Sequence, residues 1–179
     1  MKIKQCSLRD VLILEPSVFG DERGHFYESF NKNAWESLGL PTDFVQDNQS
    51  FSKSGVIRGL HFQHAPYAQG KLVRVLSGRV IDVAVDLREE SPTFGQYELF
   101  DLDAVGGRMV YIPAGFAHGF AAIQDSVFYY KCTAPYHKAS EGGILWNDPT
   151  LNIPWDVKNP IVSDKDQVLP TFDEIMRIA

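Results

Sequence analysis

Two histidines and a lysine stand at fixed distances from turn glycines in this chain. His118 ends the pattern Gly107-x5-Pro113-x-Gly115-x2-His118, which reads as a strand, a Pro/Gly turn and a second strand opening on the imidazole. His61 falls in Gly55-x5-His61-x-Gln63, and Lys71 opens Lys71-x6-Gly78. A neutral imidazole binds transition metals, and it also takes or returns a proton near neutral pH. Lys71 shares the phase of Val73 and Val75, so an unbulged strand turns it inward. An ammonium buried among apolar groups is costly unless it meets negative charge. The competing reading is a strand-end lysine that reaches back to water. Tyr129 and Tyr130 each offer a phenol, and adjacent strand residues face opposite ways, so only one enters the interior. The choice between metal-ion chemistry and proton transfer rests on what surrounds these groups.

The elements that must hold them are short strands. Leu12-Ile13-Leu14 reads as an early strand stopped by Pro16. Residues 31–38 read as a short helix stopped by Gly39 and Pro41. Strands are predicted over 44–51 and 56–63, split by Ser54-Gly55. Residues 71–76 and 79–87 are predicted to form a hairpin turning at Ser77-Gly78. In its second arm Ile81, Val83, Val85 and Leu87 share one face, with Asp82 and Asp86 on the other. Strands are also predicted over 96–102, 109–112, 117–123 and 127–133. The tail from Asn147 is rich in Pro and Asp, with a helix predicted over 171–178. No repeat, low-complexity tract or linker divides the chain. Many short strands with Gly/Pro turns predict an all-β sandwich or barrel with a few short helices.

Composition narrows the classes. The length, 179 residues, fits one domain spanning the chain. Apolar residues make up 44% and charged residues 22%, as in globular domains. The net charge of −6 argues against a nucleic-acid or anionic-membrane surface, which would need a basic face. Cys6 and Cys132, the only two cysteines, form neither a disulfide framework nor a zinc site. The absence of a signal-like opening segment and of any 18-residue apolar run predicts a soluble cytoplasmic protein.

The Gly107–His118 spacing resembles the second motif of the cupin superfamily, which implies a jelly roll, or double-stranded β-helix. Many cupins bind a metal through that histidine, a second His two residues after the first, and a Glu. Here Gln63 replaces that second His and Lys71 replaces the Glu. An ammonium repels a divalent ion, and such a cage wants imidazole and carboxylate. The expectation is therefore no metal.

Longer stretches resemble the dTDP-4-dehydrorhamnose 3,5-epimerase family. They are Phe19-Gly20-Asp21-Glu22-Arg23-Gly24-His25-Phe26, Gln46-Asp47-Asn48-Gln49-Ser50, Arg58-Gly59-Leu60-His61-Phe62-Gln63 and Gln69-Gly70-Lys71-Leu72-Val73. Asp82 to Asp86, Ser91 to Gly95, Pro113 to Phe120, Tyr129-Tyr130-Lys131 and Ser140-Glu141-Gly142 continue the match. The resemblance implies epimerisation at C3 and C5 of dTDP-4-dehydro-6-deoxy-D-glucose, in dTDP-L-rhamnose biosynthesis, with no cofactor. The C4 ketone acidifies the neighbouring C–H bonds. His61 is then the base and Lys71 the enolate stabiliser. The resemblance favours Tyr130 over Tyr129 as the acid, its phenol made more acidic by a nearby cation. It also favours Asp166 over Asp164 as the carboxylate that orients His61; the residues alone leave both pairs open.

The same resemblance assigns substrate contacts to Glu28, Gln46, Asp47, Asn48, Gln63, Lys71, His118 and Glu141. Arg23, Arg58 and Lys165 suit the diphosphate, while Tyr136 suits stacking on thymine and Phe26 packing on the base. Arg58 is out of phase with His61 in a flat strand, so both turn inward only over a bulge at Gly59. A homodimer is expected in which N-terminal strands within about residues 1–30 reach a second subunit and bring Arg23, Phe26 and Glu28 to its site. The competing functions are epimerisation at C3 only or C5 only, a metal-dependent cupin, and a sugar-binding cupin without activity.

Overall fold

The computed structural model describes residues 1–177. The first strands are β1 (Lys2–Gln5), β2 (Leu12–Glu15), β3 (Phe19–Asp21) and β4 (Gly24–Phe26), followed by helix α1 (Lys32–Ser37). The body is built from β5 (Gln46–Ser52), β6 (Ile57–Gln63), β7 (Lys71–Ser77), β8 (Arg79–Asp86) and β9 (Tyr97–Asp103). It continues with β10 (Met109–Ile112), β11 (Phe116–Ala122), β12 (Ser126–Cys132) and β13 (Glu141–Gly143). Two short helices, α2 (Asp164–Gln167) and α3 (Phe172–Met176), close the described chain.

The strands form a six-stranded sheet in the order β1-β2-β10-β7-β12-β5 and a five-stranded sheet in the order β13-β6-β11-β8-β9. Strands β3 and β4 pair only with each other. The chain repeatedly crosses between the two large sheets, as a cupin-type jelly roll requires. Their inner faces meet over Val73, Val75 and Phe128 from one side and Val80, Phe100 and Phe120 from the other. Burying one such side chain stabilises the fold by about 1.5–3 kcal/mol.

The outer faces are covered as well. Trp35 on α1 packs on Leu14, Leu72 and Met109, while Leu151, Trp155 and Phe172 from the tail cover Ile57, Val83 and Ala121. Strand β8 is therefore buried on both faces, and Asp82 and Asp86 lie inside rather than on a solvated face.

The predicted hairpin is not formed. β7 pairs with β10 and β12, whereas β8 pairs with β11 and β9. At Gly78 the chain leaves one sheet for the other. Gly78 has φ +82°, and a Cβ there would sit 2.3 Å from the Asp125 carbonyl oxygen. Arg79 N–H donates to Ser126 Oγ at 3.0 Å, which fixes the corner. A Ser-Gly turn between alternating strands has the same local chemistry in a hairpin and in a corner.

The remaining predicted strands are present with ends moved by one or two residues. β1, the β3–β4 pair, β13 and α2 were not predicted. The predicted helix over 171–178 is observed as Phe172–Met176, capped by reciprocal Thr171 and Glu174 hydrogen bonds; Ile178 lies outside the described residues. No described helix is long and apolar enough to cross a membrane.

Candidate active site

A cavity of about 540 Å³ opens at one end of the jelly roll, lined among others by Arg58, His61, Lys71, His118, Tyr130 and Asp166. These residues come from β6, β7, β11, β12 and α2.

Strand β6 reaches this site through a bulge. His61 opposes His118 and Arg58 opposes Phe120, so three steps on β6 match two on β11. The extra residue brings Arg58 and His61 to one cavity, as the phase argument required. Gly59 sits in the bulge at φ +123°, and a Cβ there would lie 2.6 Å from Gly119 Cα. Only glycine fits.

His61 Nε2 lies 2.8 Å from Asp166 Oδ1, and Asp166 Oδ2 accepts the Gly59 N–H at 3.2 Å. Ser163 caps α2 by accepting the Asp166 N–H, which sets the carboxylate's position. Burial pushes the Asp166 carboxyl up, but His61 and the Gly59 amide outweigh it and hold it below the usual range. The structure thus brings Asp166, rather than Asp164, to His61.

Lys71 is buried on the inner face of β7 beside Val73. Burial pushes its ammonium down, opposed by the fields of Cys132, Asp82 and Glu141. His118 is also buried, its Nε2 2.7 Å from Asp82 Oδ1. Asp82 was not predicted as a site residue. The available signal was a carboxylate on an otherwise apolar strand, and only the register of β8 on β11 reveals its partner.

Of the two tyrosines, Tyr130 lines the cavity. Tyr129 points to the other face of the sheet and donates to Asp47 Oδ2 at 2.8 Å. The expected acidification of Tyr130 is corrected: burial pushes its hydroxyl up and Cys132 adds to the rise, while Arg58 opposes them without reversing the direction. The phenol therefore keeps its proton at neutral pH. Arg58 is fixed by donation to Ser52 Oγ and the Phe51 carbonyl.

Two of the expected substrate contacts have side chains engaged within the protein. Asp47 alternates away from Gln46 and Asn48 along β5, and its carboxylate is bound by Tyr129 and Lys131 outside the cavity. Gln63 is consumed by backbone: its amide donates to the Tyr67 and Pro135 carbonyls and accepts the His137 N–H. With Gln46 Oε1 accepting the Tyr136 N–H, two glutamines clamp residues 135–137. Asn48 donates to Cys132 Sγ at 3.6 Å. At the rim, Glu141 accepts from Lys165 at 2.6 Å and from the Tyr136 hydroxyl at 3.1 Å.

Arg23, Phe26 and Glu28 are not brought to the cavity of their own chain. Arg23 and Phe26 are on the exposed β3–β4 hairpin, where Asp21 binds Arg23. Glu28 accepts from Asn31 beside a second hollow lined by Phe19, Phe26 and Trp35.

A cupin-type metal does not fit these residues. Gln63 has its amide occupied, and a buried ammonium stands at the other replaced position. Among the described residues no group of three or more His, Cys, Asp or Glu side chains converges on one point.

Comparison with known proteins agrees with this architecture. A family model described as dTDP-4-dehydrorhamnose 3,5-epimerase matches residues 5–174. The dTDP-4-dehydrorhamnose 3,5-epimerase of Shigella flexneri is 54% identical over 168 residues, 93% of each chain. The crystal structure of the Bacillus anthracis enzyme of that name, with TDP and PPi bound, is 47% identical with a TM-score of 0.92, covering 96% of this chain and 99% of that one. The dTDP-6-deoxy-D-glucose-3,5-epimerase of Legionella pneumophila, in complex with dTDP-4-keto-L-rhamnose, is 46% identical with a TM-score of 0.92, covering 97% and 94%.

Proposed function

The chain belongs to the dTDP-4-dehydrorhamnose 3,5-epimerase family, and from that premise we propose how its residues carry the reaction. The protein is an isomerase of dTDP-rhamnose biosynthesis, epimerising a dTDP-4-keto-6-deoxyhexose at C3 and C5. His61 removes the proton beside the C4 ketone, and Asp166 stabilises the imidazolium that results. The electron pair moves onto the ketone oxygen, where the Lys71 ammonium meets the enolate charge. Tyr130 delivers its proton to the opposite face of the carbon. The imidazolium then loses its proton to solvent, and the phenolate regains one.

The observation that carries this reading is the placement of an acid-backed imidazole, an ammonium and a phenol around one cavity. Arg58 and Lys165 are assigned to the diphosphate and Tyr136 to the thymine. Gln46, Asn48 and Glu141 remain near the nucleotide, and His118 supports the Lys71 side.

The functional unit proposed is a cytoplasmic homodimer. Val18, Phe19 and Phe26 are exposed on the N-terminal arm, with Phe19 66% and Phe26 70% accessible. Apolar groups clustered at one surface favour cover by a partner. A second copy is the occupant that brings Arg23, Phe26 and Glu28 to the neighbouring cavity.

The decisive experiment follows solvent deuterium by NMR during turnover of dTDP-4-keto-6-deoxyglucose. Label enters at both C3 and C5 if the double epimerisation holds. Label at one carbon only would replace it with a monoepimerase.

A further inference from the structure

Asp82 is a wholly buried acid whose second oxygen has no partner. It lies on β8 opposite Phe120, while His118 lies opposite Ala84, so the two side chains meet diagonally across the β8–β11 pair. Oδ1 is bound by His118 Nε2 at 2.7 Å; Oδ2 is buried and makes no hydrogen bond. Its face is shared with Val80 and Ala84, which meet Val73 and Val75 of the facing sheet. Lys71 shares the face of Val73 and Val75 and points into the same interior. Among the described residues Lys71 makes no salt bridge, although it too is buried. An isolated buried charge is disfavoured, and two opposite ones near each other offset part of that cost.

We propose that Asp82 is a positioning residue for the epimerisation: held through Oδ1 by His118, its carboxylate supplies the counter-charge that keeps Lys71 an ammonium facing the cavity. The inference rests on the reading of Lys71 as the enolate stabiliser.

The groups around Lys71 leave Asp82 as the fitting counter-charge. Cys132, opposite it on β12, is a thiol whose pKa burial raises, so it stays neutral. Glu141 on β13 is bound at the rim by Lys165 and Tyr136. His118 on β11 is pushed toward its neutral form by burial, with Asp82 opposing that shift and Lys71 and His61 adding to it. Burial pushes Asp82 up, while His118 and Lys71 oppose the rise.

The test compares wild-type protein with Asp82→Asn. Turnover is measured against pH, and the Lys71 Nζ resonance is titrated in protein labelled with ¹⁵N-lysine. Removing the carboxylate disfavours the ammonium, so the alkaline limb of kcat and the Lys71 titration both move down by about one pH unit or more, roughly tenfold in proton affinity. Thymidine diphosphate binding is retained. A folded Asp82→Asn protein with both unmoved overturns the proposal. If that variant does not fold, the wild-type resonance decides: titration below about pH 7 marks a buried lysine without a counter-charge and overturns it, while a charge kept to higher pH supports it. Absence of wild-type turnover counts against the reaction assigned to the cavity, and the Lys71 titrations still test Asp82.

Discussion

One carboxylate, that of Asp166, holds both the His61 imidazole at 2.8 Å and the Gly59 amide at 3.2 Å. The base and the bulge that aims it therefore share a single brace, supplied from a helix over a hundred residues away. That arrangement fixes the imidazole's tilt and its tautomer together, since a carboxylate accepts but cannot donate.

Replacing Asp166 by Asn keeps the shape and removes the charge. The amide can present a donor to His61, and it no longer stabilises an imidazolium. We expect kcat to fall by about 10²–10⁴-fold, with KM changed far less because the diphosphate contacts stay in place. Steady-state kinetics on protein shown to be folded by circular dichroism checks this. An unchanged kcat would remove Asp166 from the mechanism.

Tyr129 and Tyr130 provide an internal control. Tyr130→Phe removes the hydroxyl that faces the cavity, so reprotonation suffers more than proton removal. Exchange of substrate hydrogen for solvent deuterium then outlasts net epimerisation. Tyr129→Phe removes a bond to Asp47 on the outer face, and its activity should stay within about twofold of wild type, in keeping with the roughly 0.5 kcal/mol limit for most surface changes. Equal effects of the two substitutions would remove Tyr130 as the acid, and a larger effect at Tyr129 would invert the assignment.

We propose that Gln63 acts through the loop that carries Tyr136, whose backbone it binds on either side. Gln63→Ala deletes three side-chain-to-backbone hydrogen bonds from the 135–137 loop and the 64–70 loop, at a cost of about 1–3 kcal/mol in stability. Calorimetric titration should show weaker binding of thymidine diphosphate and unaltered binding of inorganic pyrophosphate, because the contact proposed for Tyr136 is with the base alone. Parallel losses for both ligands would mean that Gln63 contacts the diphosphate directly.

Acid stability should depend on Asp86. This carboxylate is inside the fold; burial pushes it up, but Arg88, Ser91 and Thr93 bind it and bring it down to about 2 from an ordinary 3.8. A depressed folded pKa gives stabilisation that is full above the unfolded value and is lost as pH falls through the folded one. The window runs from about pH 4 down to about pH 2, and the contribution is on the order of 2 kcal/mol. Urea unfolding of wild type and Asp86→Asn should differ near neutral pH and converge across that window. A constant difference would place the stabilisation elsewhere.

The chemistry of this site was more legible in the sequence than the path of the chain. Lys71 could be placed inward because strand alternation is local, and the clash of phase between Arg58 and His61 pointed to the Gly59 bulge. Alternation showed only that one of Tyr129 and Tyr130 faces in, and the family resemblance chose Tyr130. The corner at Gly78 was misread because a sheet exchange depends on which distant strands offer hydrogen bonds, here β10 and β11. Asp82 was missed for the same reason: an acid on one face of a strand looks solvated until a second sheet covers that face. Tyr130 was expected to be acidified by a nearby cation; Arg58 does pull its hydroxyl down, but burial, which no strand pattern reports, outweighs it.

The proposed exchange of N-terminal arms has a consequence that monomeric sites cannot imitate. If Phe26 and Arg23 serve the partner's cavity, a site fails either when its own His61 is replaced or when the arm reaching it is replaced. Take two inactive proteins, one His61→Ala and one carrying Phe26→Ala with Arg23→Ala. Each homodimer has two defective sites. Mixed dimers place both defects in one site and leave the other intact. After denaturation and refolding together at equal amounts, random pairing restores about a quarter of wild-type sites, since about half of the dimers are mixed and each has one sound site. The salt bridge of Arg23 to Asp21 is exposed, so losing it costs the fold little, and defective arms should still fold. Recovered turnover in the mixture, absent from either variant refolded alone, would establish that the arm crosses. No recovery, with mixed dimers shown by mass spectrometry, would return Arg23 and Phe26 to their own subunit and leave the cavity to be completed by other residues.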